Sequence, residues 1–203
     1  MTILGAHSWP SNAELIADVA QLGYIGELVL DATYGKGTWW KLYQPDVLVT
    51  NDINPDTATM YHFDFREMDF GNDTFDTVAF DPPYVCKGGR ATSGIQEFDG
   101  RYGLRDTPRT PADLQFLIED GLQECARVTR PGGTILVKCM DYITSGKLMP
   151  ATYLTQRYAQ YIGLTIEDRF VHVGRPGPQP AGRRQVHARR NHSDLFVFRK
   201  GQS

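Results

Sequence analysis

The chain has 203 residues, 41% of them apolar, with 21 Lys and Arg against 24 Asp and Glu for a formal net charge of −3. That length buries one sizeable core and leaves little for a second, so a single catalytic domain over 1–203 is expected. No run of about 18 apolar residues occurs and no basic region followed by an apolar stretch opens the chain, so neither a membrane span nor a secretory signal is expected, and the expected location is the cytoplasm.

In chain order, residues 11–23 carry capping residues and 3.6-type apolar spacing that predict a first helix ending at Gly23. Glu27 to Asp31 reads as a buried strand running into Thr33-Tyr34-Gly35-Lys36-Gly37. Glycines at such a turn let the backbone approach a ligand and open the next helix, although the spacing is not the full dinucleotide fingerprint. A second strand, 46–50, ends at Asn51-Asp52, roughly 20 residues past the turn, where an acid can grip ribose hydroxyls. For Asp31 and Asp52 taken singly, helix capping or a solvated strand end is the competing explanation.

The most informative stretch follows. An apolar strand near 76–80 runs into Asp81-Pro82-Pro83-Tyr84. Two prolines fix φ and supply no N–H, which leaves their carbonyls free as acceptors. Asp81 adds a carboxylate and Tyr84 a ring for stacking, a combination suited to a flat base carrying an exocyclic amine. Residues 85–111, with two glycine- and arginine-bearing patches, predict either a mobile loop over the site or simple disorder.

Further helices are expected near 112–128 and 150–162, and strands near 133–139, 164–173 and 194–199. Alternating strands and helices predict a mostly parallel sheet with helices on both faces, its ligands beyond the strands' carboxyl ends. The last two strands are close in sequence and should pair antiparallel. Lys138 and Asp141, near one strand end, could face the pocket, with a solvated strand end the leading expectation. The basic loop 174–192 belongs to a segment, 174–200, of net charge +6 that leaves −9 elsewhere. A polyanion is the expected partner there, met by Arg183, Arg184, Arg189 and Arg190. His172, His187 and His192 should contact phosphate or solvent. The three cysteines, Cys86, Cys125 and Cys139, are far apart and fit reduced thiols, and no structural metal is expected.

With these residues in view, the chain resembles the class I methyltransferases that use S-adenosyl-L-methionine. More narrowly it is similar to the amino-methyltransferases of nucleic acids, whose signature is Asp/Asn/Ser-Pro-Pro-Tyr/Phe. The resemblance covers about residues 8–140 well and the remainder loosely. It implies an α/β, Rossmann-like class I methyltransferase fold: a mostly parallel seven-stranded sheet with an antiparallel C-terminal strand. It implies cofactor contacts from Asp31, Thr33, Gly35, Gly37, Asp52 and Asp81, with Asp64 and Phe65 at the adenine. It implies catalytic contacts from Asp81, Pro82, Pro83 and Tyr84, and an Asp first in the clamp resembles the N6-adenine enzymes. Residues 7–12 loosely resemble a segment that closes over the methionine end of the cofactor.

The leading expectation is DNA adenine-N6 methylation by a monomer or homodimer, with no membrane and no metal. RNA base methylation and DNA N4-cytosine methylation are the alternatives, followed by a protein-glutamine methyltransferase or a cofactor-binding module without turnover. No target-recognition domain like that of the larger DNA enzymes is evident.

Overall fold

The computed structural model describes residues 4–7, 9–84, 108–174, 185–188 and 190–202. Its first helix, α1 (Asn12–Gln21), is started by Ser11, whose side chain accepts from the Glu14 backbone N–H. Strand β1 (Leu28–Asp31) pairs parallel with β2 (Val47–Thr50) on one side and β3 (Phe75–Phe80) on the other. Helix α2 (Pro111–Val128) begins at a capping box formed by Thr110 and Asp113, with Pro111 in the first turn where a missing N–H is harmless. It leads into β4 (Thr129–Cys139), parallel to β3. A short hairpin, β5 (Tyr142–Thr144) and β6 (Lys147–Met149), precedes α3 (Ala151–Tyr161). The chain returns through β7 (Leu164–Val173) and β8 (His192–Lys200).

The sheet order is β2-β1-β3-β4-β8-β7, with β8 antiparallel to both of its neighbours. Among the described residues the main sheet has six strands where seven were expected. Past β2 the chain adds one isolated parallel bridge, Asn51 to Tyr61, because residues 62–70 turn away to form their own contacts. Asn51, fully buried, makes those contacts: its amide donates to the carbonyls of Ala32 and Phe63, and its carbonyl accepts from the Phe63 N–H. Strand β4 also starts earlier than expected, through Pro131-Gly132, and the pairing with β3 slips between Phe75 and Thr77 to accommodate the extra residues.

Alternation along the strands builds two cores. Val29, Ala79, Leu136, Phe170, Leu195 and Val197 pack with Leu15, Ile16 and Val19 of α1 and with Trp39 and Trp40. Leu30, Val78, Phe80, Ile135, Val137, Phe196 and Phe198 pack on the opposite side with Leu114, Leu117, Ile118 and Leu122 of α2 and Ala159 of α3. By this alternation Asp31, Asp81 and Lys138 project on the α1 side at the carboxyl ends of their strands.

Candidate active site

One cavity of about 690 Å³ opens at the carboxyl ends of β1, β2 and β3. Asp31, Thr33, Gly35, Asp52, Phe65 and Asp81 all line it, as do Pro82, Pro83 and Tyr84. Gly37 and Asp64, the other two residues expected at a cofactor, are not among its lining residues.

The glycine turn is shaped by backbone demands. Gly35 and Gly37 have φ of +54° and +61°, the left-handed region that side chains disfavour. A Cβ on Gly37 would also run into the Tyr34 ring. The helix expected after the turn is a single 3-10 turn, Thr38–Lys41, which faces both of its tryptophans inward. The Trp40 indole N–H donates to Asp31 Oδ2 at 2.6 Å, and the Thr33 backbone N–H donates to Asp31 Oδ1 at 3.0 Å. The Trp39 indole lies close enough to the Asp81 carboxyl to favour its charged form. These indole donors went unassigned in the sequence reading. The signal was their position one turn past the glycines, but adjacent tryptophans read equally as core.

Asp52 grips the turn from β2: Oδ2 accepts from the Gly35 N–H at 2.7 Å and Oδ1 from the Asn54 N–H at 2.9 Å. Each carboxylate oxygen retains a lone pair for a further donor. Thr33 joins the glycine turn to the clamp, its hydroxyl accepting from the Asp81 N–H at 2.7 Å. The Tyr84 hydroxyl donates to Asp81 Oδ1, which fixes the ring beside the prolines.

Burial dominates the electrostatics. It pushes Asp31 up to about 7, against the Trp40 and Thr33 hydrogen bonds. It pushes Asp81 up to about 6, opposed by the charge of Lys138 and the Trp39 hydrogen bond. Two carboxyls in one cavity that titrate near neutrality are typical of functional sites.

Phe65 reaches the cavity because α2 holds its segment in place. Glu124 accepts from the Met68 N–H at 2.7 Å, and Arg127 donates to the carbonyls of Phe70 and Met68. Asp64 is engaged elsewhere, forked by Arg66 through Nε and Nη2, the closest contact being 2.6 Å, and it titrates below the usual range, the arginine offsetting its partial burial.

Three expectations fail here. Lys138 is not solvated: it is 7% exposed and its Nζ donates to Asn12 Oδ1 at 2.7 Å. Asp141 caps α3, its Oδ1 accepting from the N–H and hydroxyl of Thr152. His172 Nε2 is buried with no hydrogen-bond partner, not turned to phosphate or solvent. In the segment before α1, Trp9 packs on Phe170 and bonds Asp18, within the core.

Of the four arginines expected at nucleic acid, Arg183, Arg184 and Arg189 lie outside the described residues. Arg190 donates to the Ala188 carbonyl, and His187 Nε2 lies 2.9 Å from the Gly146 carbonyl, so this segment meets the tip of the β5–β6 hairpin. Most of the expected loop, 85–107, also lies outside the described residues. Cys125 and Cys139 are free and buried, with burial holding both thiols well above their ordinary range. Among the described residues no helix is long and apolar enough to cross a membrane, and no group of three His, Cys, Asp or Glu is placed to hold a metal ion.

No family model and no curated protein matches the chain. Solved structures do. A proposed sarcosine dimethylglycine methyltransferase from Galdieria sulphuraria matches at 15% identity and TM-score 0.56, over 94% of this chain and 85% of that one. A proposed RNA methyltransferase from Pyrococcus horikoshii matches at 14% identity and TM-score 0.55, over 94% and 83%. A proposed DNA modification methylase from Thermus thermophilus matches at 15% identity and TM-score 0.46, over 68% of this chain. This chain spans about half the length of that methylase, 52%. The first two likenesses cover nearly the whole chain, and they establish its architecture: a methyltransferase-like α/β fold with a mostly parallel sheet and an antiparallel C-terminal strand.

Proposed function

We propose that the chain is a methyltransferase that uses S-adenosyl-L-methionine and acts on an exocyclic amine of a nucleic acid base, with N6 of adenine in DNA as the first substrate. The observation that carries this reading is the convergence of the Asp81-Pro82-Pro83-Tyr84 clamp and the glycine turn on one cavity. A single catalytic domain in the cytoplasm, acting as a monomer or homodimer, is part of the same proposal.

The residues present fit the cofactor. Asp52 offers carboxylate oxygens to a ribose, Gly35 presents bare backbone, Phe65 gives an apolar wall, and Asp31 supplies negative charge to a cationic ligand. When bound, S-adenosyl-L-methionine supplies the electrophilic methyl group. The protein's task is to hold a poor nucleophile, since the lone pair of an aromatic amine is delocalised into its ring. The Asp81 carboxylate and the Pro82 carbonyl accept the two amine N–H bonds, which favours a pyramidal nitrogen where the transition state needs it. Tyr84 offers a face to the base. Fixed geometry supplies much of the remainder, roughly 7 to 11 kcal/mol in favourable cases. Asp81 acts as acceptor and positioner. A duplex hides the amine, so a base must be flipped out at a cost of a few kcal/mol, or single strands used.

The test is transfer of labelled methyl to double-stranded DNA, single-stranded DNA and total RNA in parallel, with mass spectrometry of the nucleosides. N6-methyldeoxyadenosine is expected. RNA is the second reading, favoured because the described residues add only the β5–β6 hairpin to the main sheet and helices, little with which to read a duplex sequence. Label in RNA alone would select it, and N4-methyldeoxycytidine would move the substrate to cytosine. No label in any nucleic acid would overturn the reading.

A further inference from the structure

Lysine is rarely buried, because an ammonium removed from water costs several kcal/mol unless it is compensated. Lys138 is 7% exposed, beside the proposed catalytic clamp. The β3–β4 register pairs Phe80 with Val137, so the next residues, Asp81 and Lys138, come side by side on adjacent parallel strands. Both project on the α1 face, and Nζ is held at 2.7 Å by Asn12 Oδ1 of α1. An ammonium has three donors, and Asn12 takes one of them.

We propose that Lys138 is a positioning residue for Asp81: its ammonium, tethered by Asn12, stands beside the carboxyl and keeps the clamp an anionic acceptor facing the cavity. This rests on the methyltransferase reading for its catalytic consequence, though not for its electrostatic one.

The surroundings leave that duty to Lys138. Asp81 is faced by Lys138 from β4, by Trp39 from the 3-10 turn, by the Tyr84 hydroxyl, and by Asp31 from β1, whose charge would favour protonation. Lys138 in turn is faced by Asn12 from α1, Asp81 from β3 and His172 from β7. Burial and the neighbouring ammonium both hold His172 below its ordinary range, which makes it a neutral neighbour at pH 7. Burial lowers Lys138 too, and the Asp81 charge opposes that. Each ion of the pair therefore supports the charge of the other.

The test compares wild type with Lys138→Met, Lys138→Arg and Asn12→Ala. The Asp81 carboxyl is titrated by carbon-13 NMR in the cofactor-free protein, assigned by its loss in Asp81→Asn, and the pH profile of methyl transfer is recorded alongside. In Lys138→Met the Asp81 midpoint should rise by about one unit or more, the usual effect of losing a nearby opposite charge. The acid limb of kcat should move with it, so that transfer lost at mildly acidic pH returns at alkaline pH. Lys138→Arg should keep both near wild type. Asn12→Ala, which loosens only the tether, should move both upward by less, and it keeps the test decisive if Lys138→Met does not fold. An unchanged Asp81 midpoint, or a kcat reduced equally at every pH, would overturn the proposal and reduce Lys138 to a packing element. If wild type methylates no nucleic acid, the functional reading fails while the carboxyl titration still decides the role of Lys138.

Discussion

At the residue scale, two indole N–H groups hold the two cavity acids. Trp40 donates to Asp31, and Trp39, its neighbour on the same 3-10 turn, supports the charged form of Asp81. Hydrogen bonds to ionised groups are worth about 1.5 to 3 kcal/mol, so Trp39→Phe should lower kcat by about tenfold or more while leaving cofactor affinity within a few-fold, measured by single-turnover transfer and calorimetry. Because the proposed mechanism uses Asp81 as an anion and burial has raised it to about 6, kcat/KM should climb as pH rises through about 6 and then level, as a rate profile at limiting nucleic acid would show. Much of this site was legible in the sequence. Asp31, Thr33, Gly35, Asp52, Phe65 and the clamp were singled out and share the cavity, because their spacing follows from strand ends that a parallel sheet aligns. The tryptophans were not legible, and Lys138 was legible only as the less favoured of two placements, since whether a Trp or a Lys is core, surface or site depends on which strand lies alongside.

At the scale of elements, two glycines set distances. Gly121 on α2 lies so close to the rings of Phe65 and Phe80 that a Cβ would stand 2.7 Å and 2.6 Å from them. Gly121→Ala should overpack this contact at a cost of about 1 to 3 kcal/mol and, by pressing Phe65 toward the cavity, weaken cofactor binding as well. Thermal melting with and without cofactor checks both. Gly37→Ala meets a different obstacle, a positive φ together with the Tyr34 ring, and should cost at least about 1 to 2 kcal/mol while displacing the Gly35 amide from Asp52. The hairpin at 142–149 escaped the sequence reading because three-residue strands carry too few alternations to register a period. The helix expected after Gly37 shrank to one turn because Trp39 and Trp40 both need burial, which a longer helix on that surface would not give to consecutive residues. Among the described residues no seventh strand joins the main sheet, for a comparable reason: Asn51 donates its amide to the Phe63 carbonyl and folds the segment inward after one bridge.

At the scale of the whole molecule, the site is built against stability. A carboxyl whose pKa is raised by folding stabilises the native state fully below its unfolded value near 3.8, and that contribution is lost as pH rises through the folded value, about 7 for Asp31. Asp31→Asn removes this titration. The stability difference between variant and wild type should therefore shift in the variant's favour between about pH 4 and pH 7, by a few kcal/mol, as denaturant unfolding across that range would measure. The alternating layers that create this cost were readable from the sequence, since five of the six main-sheet strands were expected within about two residues of where they stand and the sixth, β4, began four residues early. Their burial of the acids was not, because it depends on α1 and the 3-10 turn closing over the strand ends.

In the proposed mechanism Asp81 positions the acceptor amine without holding the cofactor. The most direct measurement is methyl transfer and S-adenosyl-L-methionine affinity in Asp81→Ala beside wild type. Transfer reduced by at least about a hundredfold, with affinity within a few-fold of wild type, is the predicted result. Transfer at the wild-type rate would contradict the account, as would a loss explained wholly by failure to bind the cofactor.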